Sequence, residues 1–98
     1  MAHRVAPQAE VDLDNIWYYI ATESGSIDLA DRWMDSLTGR FLLLTRHPHI
    51  GRSRDELGAG MRSFPVGEYI IVYCVEDSDV LILRVVHGRR DLEALFGG

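Results

Sequence analysis

The last quarter of the chain carries the residues best suited to chemistry. A run of apolar residues at 80–86, interrupted only by Arg84, leads through a glycine turn into His87, Arg89 and Arg90. A glycine after a strand lets the backbone bend sharply, and guanidinium groups offer fixed, forked donors to carboxylates, phosphates or a partner's backbone. The pattern predicts a charged functional surface at the end of the last strand.

Two kinds of chemistry fit this surface. A nuclease needs an acid or base and cations that stabilise a charged transition state, which Arg62, Arg84, His87 and Arg89 can provide. A binding protein needs only a surface, and arginine is a favoured interface anchor. All ten basic residues are arginine, which excludes lysine Schiff bases and a P-loop lysine. Simple pairing of the arginines with nearby acids is the structural alternative, worth about 0–1 kcal/mol for each exposed pair.

No metal or cofactor is predicted. His47 and His49 flank a proline but lack a third ligand at a recognisable spacing, so this segment is interpreted as the loop that ends a helix. Cys74 lies in an apolar strand pattern without basic neighbours, which predicts a buried, unreactive thiol.

Length and composition predict one globular domain over residues 1–98. The chain has 47% hydrophobic residues and a net charge of −5, which does not favour direct nucleic-acid binding. It has no apolar run near the ~20 residues that cross a bilayer, and its first residues lack the apolar region of a signal peptide. With a single cysteine, these features predict a cytoplasmic protein that does not bind membranes.

The elements that must position these residues can be predicted from periodicity. Pro7 opens a helix with one apolar stripe, and a second helix follows from about residue 27 to residue 45. A polar loop at 50–60 precedes strands at 61–64, 69–75 and 80–86, and a weaker strand lies at 3–6. The order β-α-α-β-β-β predicts an α+β fold, in which an antiparallel helical hairpin packs on an antiparallel sheet and a short C-terminal tail follows.

Alternation along the last strand predicts which face each side chain occupies. Leu81, Leu83 and Val85 are expected beneath the helices. Ile82, Arg84 and Val86 are expected on the open face of the sheet.

Four segments, taken in order, resemble the RelE/ParE superfamily of type II toxin–antitoxin toxins, and its ParE-like branch in particular. They are the helix segment at 9–20, the run at 47–57 with the strand at 60–64, the strand segment at 69–73, and the strand-to-turn segment at 85–91. The resemblance covers essentially the whole chain. One departure is Ala6, at the position before the first helix where relatives often carry serine.

The resemblance implies a toxin that a small ParD-like antitoxin silences in a hetero-oligomer. ParE proteins inhibit DNA gyrase, whereas RelE-type relatives cut mRNA on the ribosome, typically with lysines and often with a C-terminal tyrosine. This chain has no lysine and no tyrosine after Tyr73, which favours gyrase binding through Arg84, His87, Arg89 and Arg90. A ribosome-dependent mRNA endonuclease and a non-toxic, antitoxin-binding co-repressor remain alternatives.

Antitoxin contacts are expected on the edges of the helices, on the open sheet face and in the tail. The residues are Trp17, Trp33, Ile82, Val86, Leu95 and Phe96.

Overall fold

The computed structural model describes residues 2–88. The elements in chain order are β1 (His3–Val5), α1 (Pro7–Ser24), α2 (Ile27–Arg46), β2 (Arg52–Ser53), β3 (Arg62–Val66), β4 (Tyr69–Glu76) and β5 (Asp79–His87). The predicted α+β fold is confirmed. One element was not predicted: the two-residue strand β2, which forms within the expected loop at 50–60 and pairs with the first residues of β3.

The five strands form one sheet in the order β1-β5-β4-β3-β2. β1 runs parallel to β5, and the other neighbours are antiparallel, so the sheet is mixed rather than wholly antiparallel. β1 pairs only with Val80–Ile82. Within residues 2–88, the edge of β5 from Leu83 onward therefore has no neighbouring strand.

The helical hairpin turns within two residues. α1 ends at Gly25, whose φ of 69° is left-handed and suits glycine. Ser26 then caps α2, because its hydroxyl accepts a hydrogen bond from the backbone N–H of Leu29 at 3.1 Å. Ala6 provides no such side-chain cap for α1, which instead begins with Pro7 at its first position.

The main core lies between the hairpin and one face of the sheet. The largest fully buried side chains of this core are those of Leu37, Phe41, Leu44, Ile71, Tyr73, Val80, Ile82 and Val85. A smaller cluster occupies the other face, beneath the loop that precedes β3. It consists of Leu57, Met61, Val72 and Val86, with Ile70 and Leu83 packed against it.

A β-bulge in β5 changes the predicted faces of this strand. Val72 pairs with Arg84 and Tyr73 with Ile82, so Leu83 is an extra residue opposite β4. The prediction for Ile82 and Leu83 was wrong: Ile82 is fully buried beneath the helices, and Leu83 packs with the opposite cluster. After the bulge the alternation has reversed, so Val85 and Val86 lie on the faces predicted for them.

Candidate functional site

A cleft of about 340 Å³ opens between α1 and the adjoining ends of β4 and β5. It contains the predicted residue His87 and combines apolar walls with carboxylate, phenol and imidazole groups. Its lining comprises Asp12, Asn15, Ile16, Tyr19, Glu68, Tyr69, Val85, Val86 and His87.

His87 is placed at the cleft by the last pairing of β5. It lies opposite Tyr69 in the ladder, and the two rings meet edge to face with their centroids 5.8 Å apart. Its Nε2 lies 3.6 Å from a carboxylate oxygen of Glu68, which is an ion pair when the imidazole is protonated. Burial, aided by the Glu68 carboxylate, raises the pKa of the Tyr69 phenol, so this ring remains neutral at physiological pH.

Arg84 does not lie on an open sheet face. Its guanidinium donates two hydrogen bonds to the carboxylate of Asp12, from Nε to Oδ2 at 2.8 Å and from Nη2 to Oδ1 at 3.0 Å. The same carboxylate accepts the backbone N–H of Val85 at 3.0 Å, at the edge of β5 that faces away from β4. The hydrogen bond with Asp12 raises the pKa of Arg84 further. Arg84 therefore fastens α1 to β5, and its charge is matched within the chain.

Asp12 is the residue that sequence reasoning missed. It is only 7% exposed, whereas Glu10 and Asp14 on the same helix are exposed. The sequence does contain a pattern that indicates its burial: at helical spacing, Asp12 falls on the same side of α1 as Ala9, Ile16 and Ile20, which are buried. A carboxylate on such a stripe requires a buried partner.

Arg62 supports a loop rather than the cleft. Its Nη1 donates to the carbonyl oxygens of Gly51 at 2.8 Å and His49 at 3.3 Å. Its ladder partner Tyr73 lies four residues from Tyr69, the partner of His87, which is about 13 Å along a strand. Among the described residues, Arg62, Arg84 and His87 therefore do not form one catalytic cluster.

The expected antitoxin contacts occupy different environments. Trp17 is half-buried and donates its indole N–H to Asp31 of α2 at 2.8 Å, while Trp33 stacks edge to face against Tyr69 at 5.5 Å. Ile82 and Val86 are 0% and 3% exposed. The expectation that these two residues form an open face is wrong, because Ile82 enters the main core and the loop before β3 covers Val86.

The remaining sequence predictions lie outside the described residues. These are Arg89 and Arg90 for target binding, and Leu95 and Phe96 for antitoxin binding.

Within residues 2–88, no three His, Cys, Asp or Glu side chains lie close enough together to hold a metal ion. In the same stretch, no helix combines the length and the apolar character needed to cross a bilayer. Burial raises the pKa of the half-buried Cys74 thiol, and the nearby Glu76 carboxylate adds to this effect.

Comparison with known proteins establishes the family. Residues 4–92 match the family model of the ParE toxin of type II toxin–antitoxin systems, parDE. The chain belongs to the ParE toxin family. Two similar relatives come from Caulobacter vibrioides. Toxin ParE3 is 31% identical over 88% of this chain and 85% of its own length, and toxin ParE1 is 30% identical over 97% of each.

Solved structures agree with the fold of this ParE-family toxin. A chain of the chromosomal ParDE toxin–antitoxin system from P. aeruginosa superposes with a TM-score of 0.77 at 19% identity, covering 89% of this chain and 95% of its own. A chain of the RelBE2 toxin–antitoxin complex from Mycobacterium tuberculosis gives a TM-score of 0.59 at 28% identity, covering 88% and 95%. The fold is thus shared by the ParE and RelE branches.

The ParE-family toxin also exposes large side chains on α1. Tyr18 is 67% exposed, Tyr19 60% and Val11 48%. Val11 and Tyr18 are seven residues apart and so lie on one side of the helix, whereas Tyr19 lines the cleft. The side of α1 that carries Val11 and Tyr18 offers apolar surface that a protein partner can cover.

Proposed function

We propose that this toxin inhibits DNA gyrase by binding it, and that a ParD-like antitoxin encoded beside it neutralises the toxin in a hetero-oligomer. The observation that favours binding over mRNA cleavage is the use of the candidate catalytic arginines. Arg84 is bound by Asp12 and Arg62 by loop carbonyl groups. The Arg84 charge is therefore matched, and Arg62 lies about 13 Å along the strand from the pairing position of His87, so neither guanidinium is placed to stabilise a phosphorane-like transition state beside His87.

The proposed target surface is centred on the end of β5. His87 contributes an imidazole that is about two-fifths exposed at the cleft, and Arg89 and Arg90 follow directly in the sequence. Arg84 contributes indirectly, because its bond to Asp12 fixes the last half of β5 against α1. A binder uses such groups as contacts and does not require proton transfer.

The antitoxin is proposed to cover apolar surface on the helical hairpin. Trp17 and Trp33 remain partly accessible, and the exposed side chains of α1 adjoin the same hairpin. Leu95 and Phe96 are proposed as additional contacts from the tail. The toxin–antitoxin systems among the structural neighbours support a partner of this kind.

The proposal is tested by brief induction of the chain in bacteria that lack its antitoxin. DNA breaks and mRNA cleavage are scored in the same culture, and purified protein is assayed for inhibition of gyrase supercoiling. We expect DNA damage, intact mRNA and inhibited supercoiling. Cleaved mRNA with an intact chromosome would assign the chain to the nuclease alternative, and growth with neither lesion would assign it to the antitoxin-binding co-repressor.

Replacing His87 by Gln separates contact from catalysis. A nuclease that uses this imidazole for proton transfer should lose about 10²–10⁴-fold in activity, whereas a binder should be weakened only partly. His49→Gln is the matched control, since His49 lies exposed in the loop after α2. A loss above a hundredfold for H87Q, with H49Q unchanged, would contradict binding as the mechanism.

A further inference from the structure

A groove runs around the β3–β4 turn and joins the functional cleft to the opposite side of the sheet. Beside the cleft lies a depression of about 330 Å³, which shares Glu68, Tyr69 and His87 with it. A third depression, of about 370 Å³, shares Pro65 and Ile70 with the second and extends to β2. We call these three connected depressions the turn groove.

The two ends of the turn groove carry opposite charges. Glu68 marks the cleft end: its carboxylate lies 3.6 Å from Nε2 of His87, and its side chain is 78% exposed, which leaves room for a second basic partner. Arg52 marks the β2 end, and it is exposed without a hydrogen bond or salt bridge to any described residue. Asp12 also lines the cleft, but its charge is matched by Arg84.

The β2 end is also partly pre-organised. Arg54 donates its Nε to Glu56 at 2.8 Å and its Nη1 to the Ser63 hydroxyl at 3.4 Å, so its guanidinium is held at the groove wall. A side chain that is already fixed loses less conformational entropy when a ligand binds. Ile50 beside it is 50% exposed and adds an apolar contact.

The ladder gives the separation of the two ends. Tyr69, which follows Glu68, pairs with Val66, and Ser63, three residues earlier, pairs with Arg52. Two strand spacings of about 4.8 Å and three residues of about 3.3 Å place the ends about 14 Å apart. About four residues of extended chain cover this distance.

We propose that the turn groove binds an extended segment of the antitoxin, with a basic side chain at Glu68 and an acidic side chain at Arg52, about four residues apart. Apolar side chains between them would lie over Pro65 and Ile70. The proposal rests on the antitoxin part of the proposed function. Because His87 borders the groove, the bound segment covers the imidazole, and the antitoxin thereby blocks target binding at this site.

Charge reversal at each end tests the proposal. The dissociation constant of the full chain for its full-length antitoxin is measured by calorimetry for Glu68→Arg and Arg52→Glu. Each reversal replaces an attraction with a repulsion, and we expect a weakening of about threefold to tenfold. Glu76→Arg and Arg4→Glu, two half-exposed residues that lie outside both the groove and the helical hairpin, change the net charge equally and should stay within about twofold. Unchanged melting temperatures confirm that all four variants fold.

A second measurement requires no variant. Amide hydrogen exchange of the parent chain should slow at residues 64–70 when the antitoxin is added. If the antitoxin binds but E68R and R52E behave like the two control variants, or residues 64–70 gain no protection, the groove proposal is overturned and antitoxin binding stands. If the antitoxin does not bind the parent chain at all, the antitoxin part of the proposed function fails together with the groove.

Discussion

Replacing Asp12 by Ala tests the strongest structural claim, that one buried carboxylate fastens α1 to β5. The change leaves the Arg84 guanidinium without its partner and the Val85 N–H without its acceptor. Both side chains are largely shielded from solvent: 9% of the Asp12 side chain and 16% of the Arg84 side chain are exposed. Water therefore replaces the lost hydrogen bonds poorly.

The expected cost is about 3–5 kcal/mol, the range for breaking a buried pair from one side. A domain of this size has a total stability of about 5–15 kcal/mol, so the variant should be near its unfolding threshold. With a urea slope of about 1–3 kcal/mol per molar, the unfolding midpoint should fall by about 2 M. The measurement is urea unfolding followed by far-ultraviolet circular dichroism.

Asp14→Ala is the matched control, because Asp14 is an exposed acid on the same helix and should change stability by no more than about 0.5 kcal/mol. The double variant Asp12→Ala, Arg84→Met should be more stable than D12A alone, since it removes the unpaired charge. A cost for D12A below about 1 kcal/mol, or a double variant no more stable than D12A, would refute the claim.

Two further predictions concern the loop after α2 and the cysteine. A Cβ at Gly51 would collide with the Tyr73 hydroxyl and lie 2.9 Å from the Ser63 carbonyl oxygen, so Gly51→Ala should cost about 1–3 kcal/mol in thermal or urea unfolding. Gly39→Ala in α2 meets no atom within 4 Å and should instead stabilise by about 0.5–1 kcal/mol; equal effects would contradict this account. Burial raises the pKa of the Cys74 thiol, so less reactive thiolate is present at any given pH. Iodoacetamide should label native Cys74 at least about tenfold more slowly at pH 8 than the urea-unfolded chain, and comparable rates would show an accessible thiol.

The proposed gyrase and antitoxin interactions place different demands on one short chain. The target surface centred on His87 borders the cleft and the turn groove, and the helical hairpin presents separate apolar surface. An antitoxin that spans both regions would cover the target surface and also add buried apolar area. It should therefore raise the melting temperature of the toxin as its concentration rises.

Local patterns in the sequence predicted every described element except β2, and they also indicated the family. The stripe containing Ile16 and Ile20 predicted α1, and the aromatic and β-branched residues of β4 predicted a strand, because these signals depend only on near neighbours. The predicted second helix ended within one residue of α2. The order of four segments indicated the RelE/ParE superfamily, and the family match over residues 4–92 confirmed it.

Only the tertiary structure decided which charges remain available at the site. Asp12 and Arg84 are 72 residues apart in the chain, and no local pattern indicates that α1 packs against β5 beyond the residues that pair with β1. The bulge at Leu83 likewise arises from pairing with β4. It shifts the side chains of β5 from one face of the sheet to the other, whereas a prediction from sequence takes the alternation of faces to be unbroken. Arginines in a sequence give the number of charges, whereas packing determines which of them are neutralised by an internal partner and which can contact another molecule.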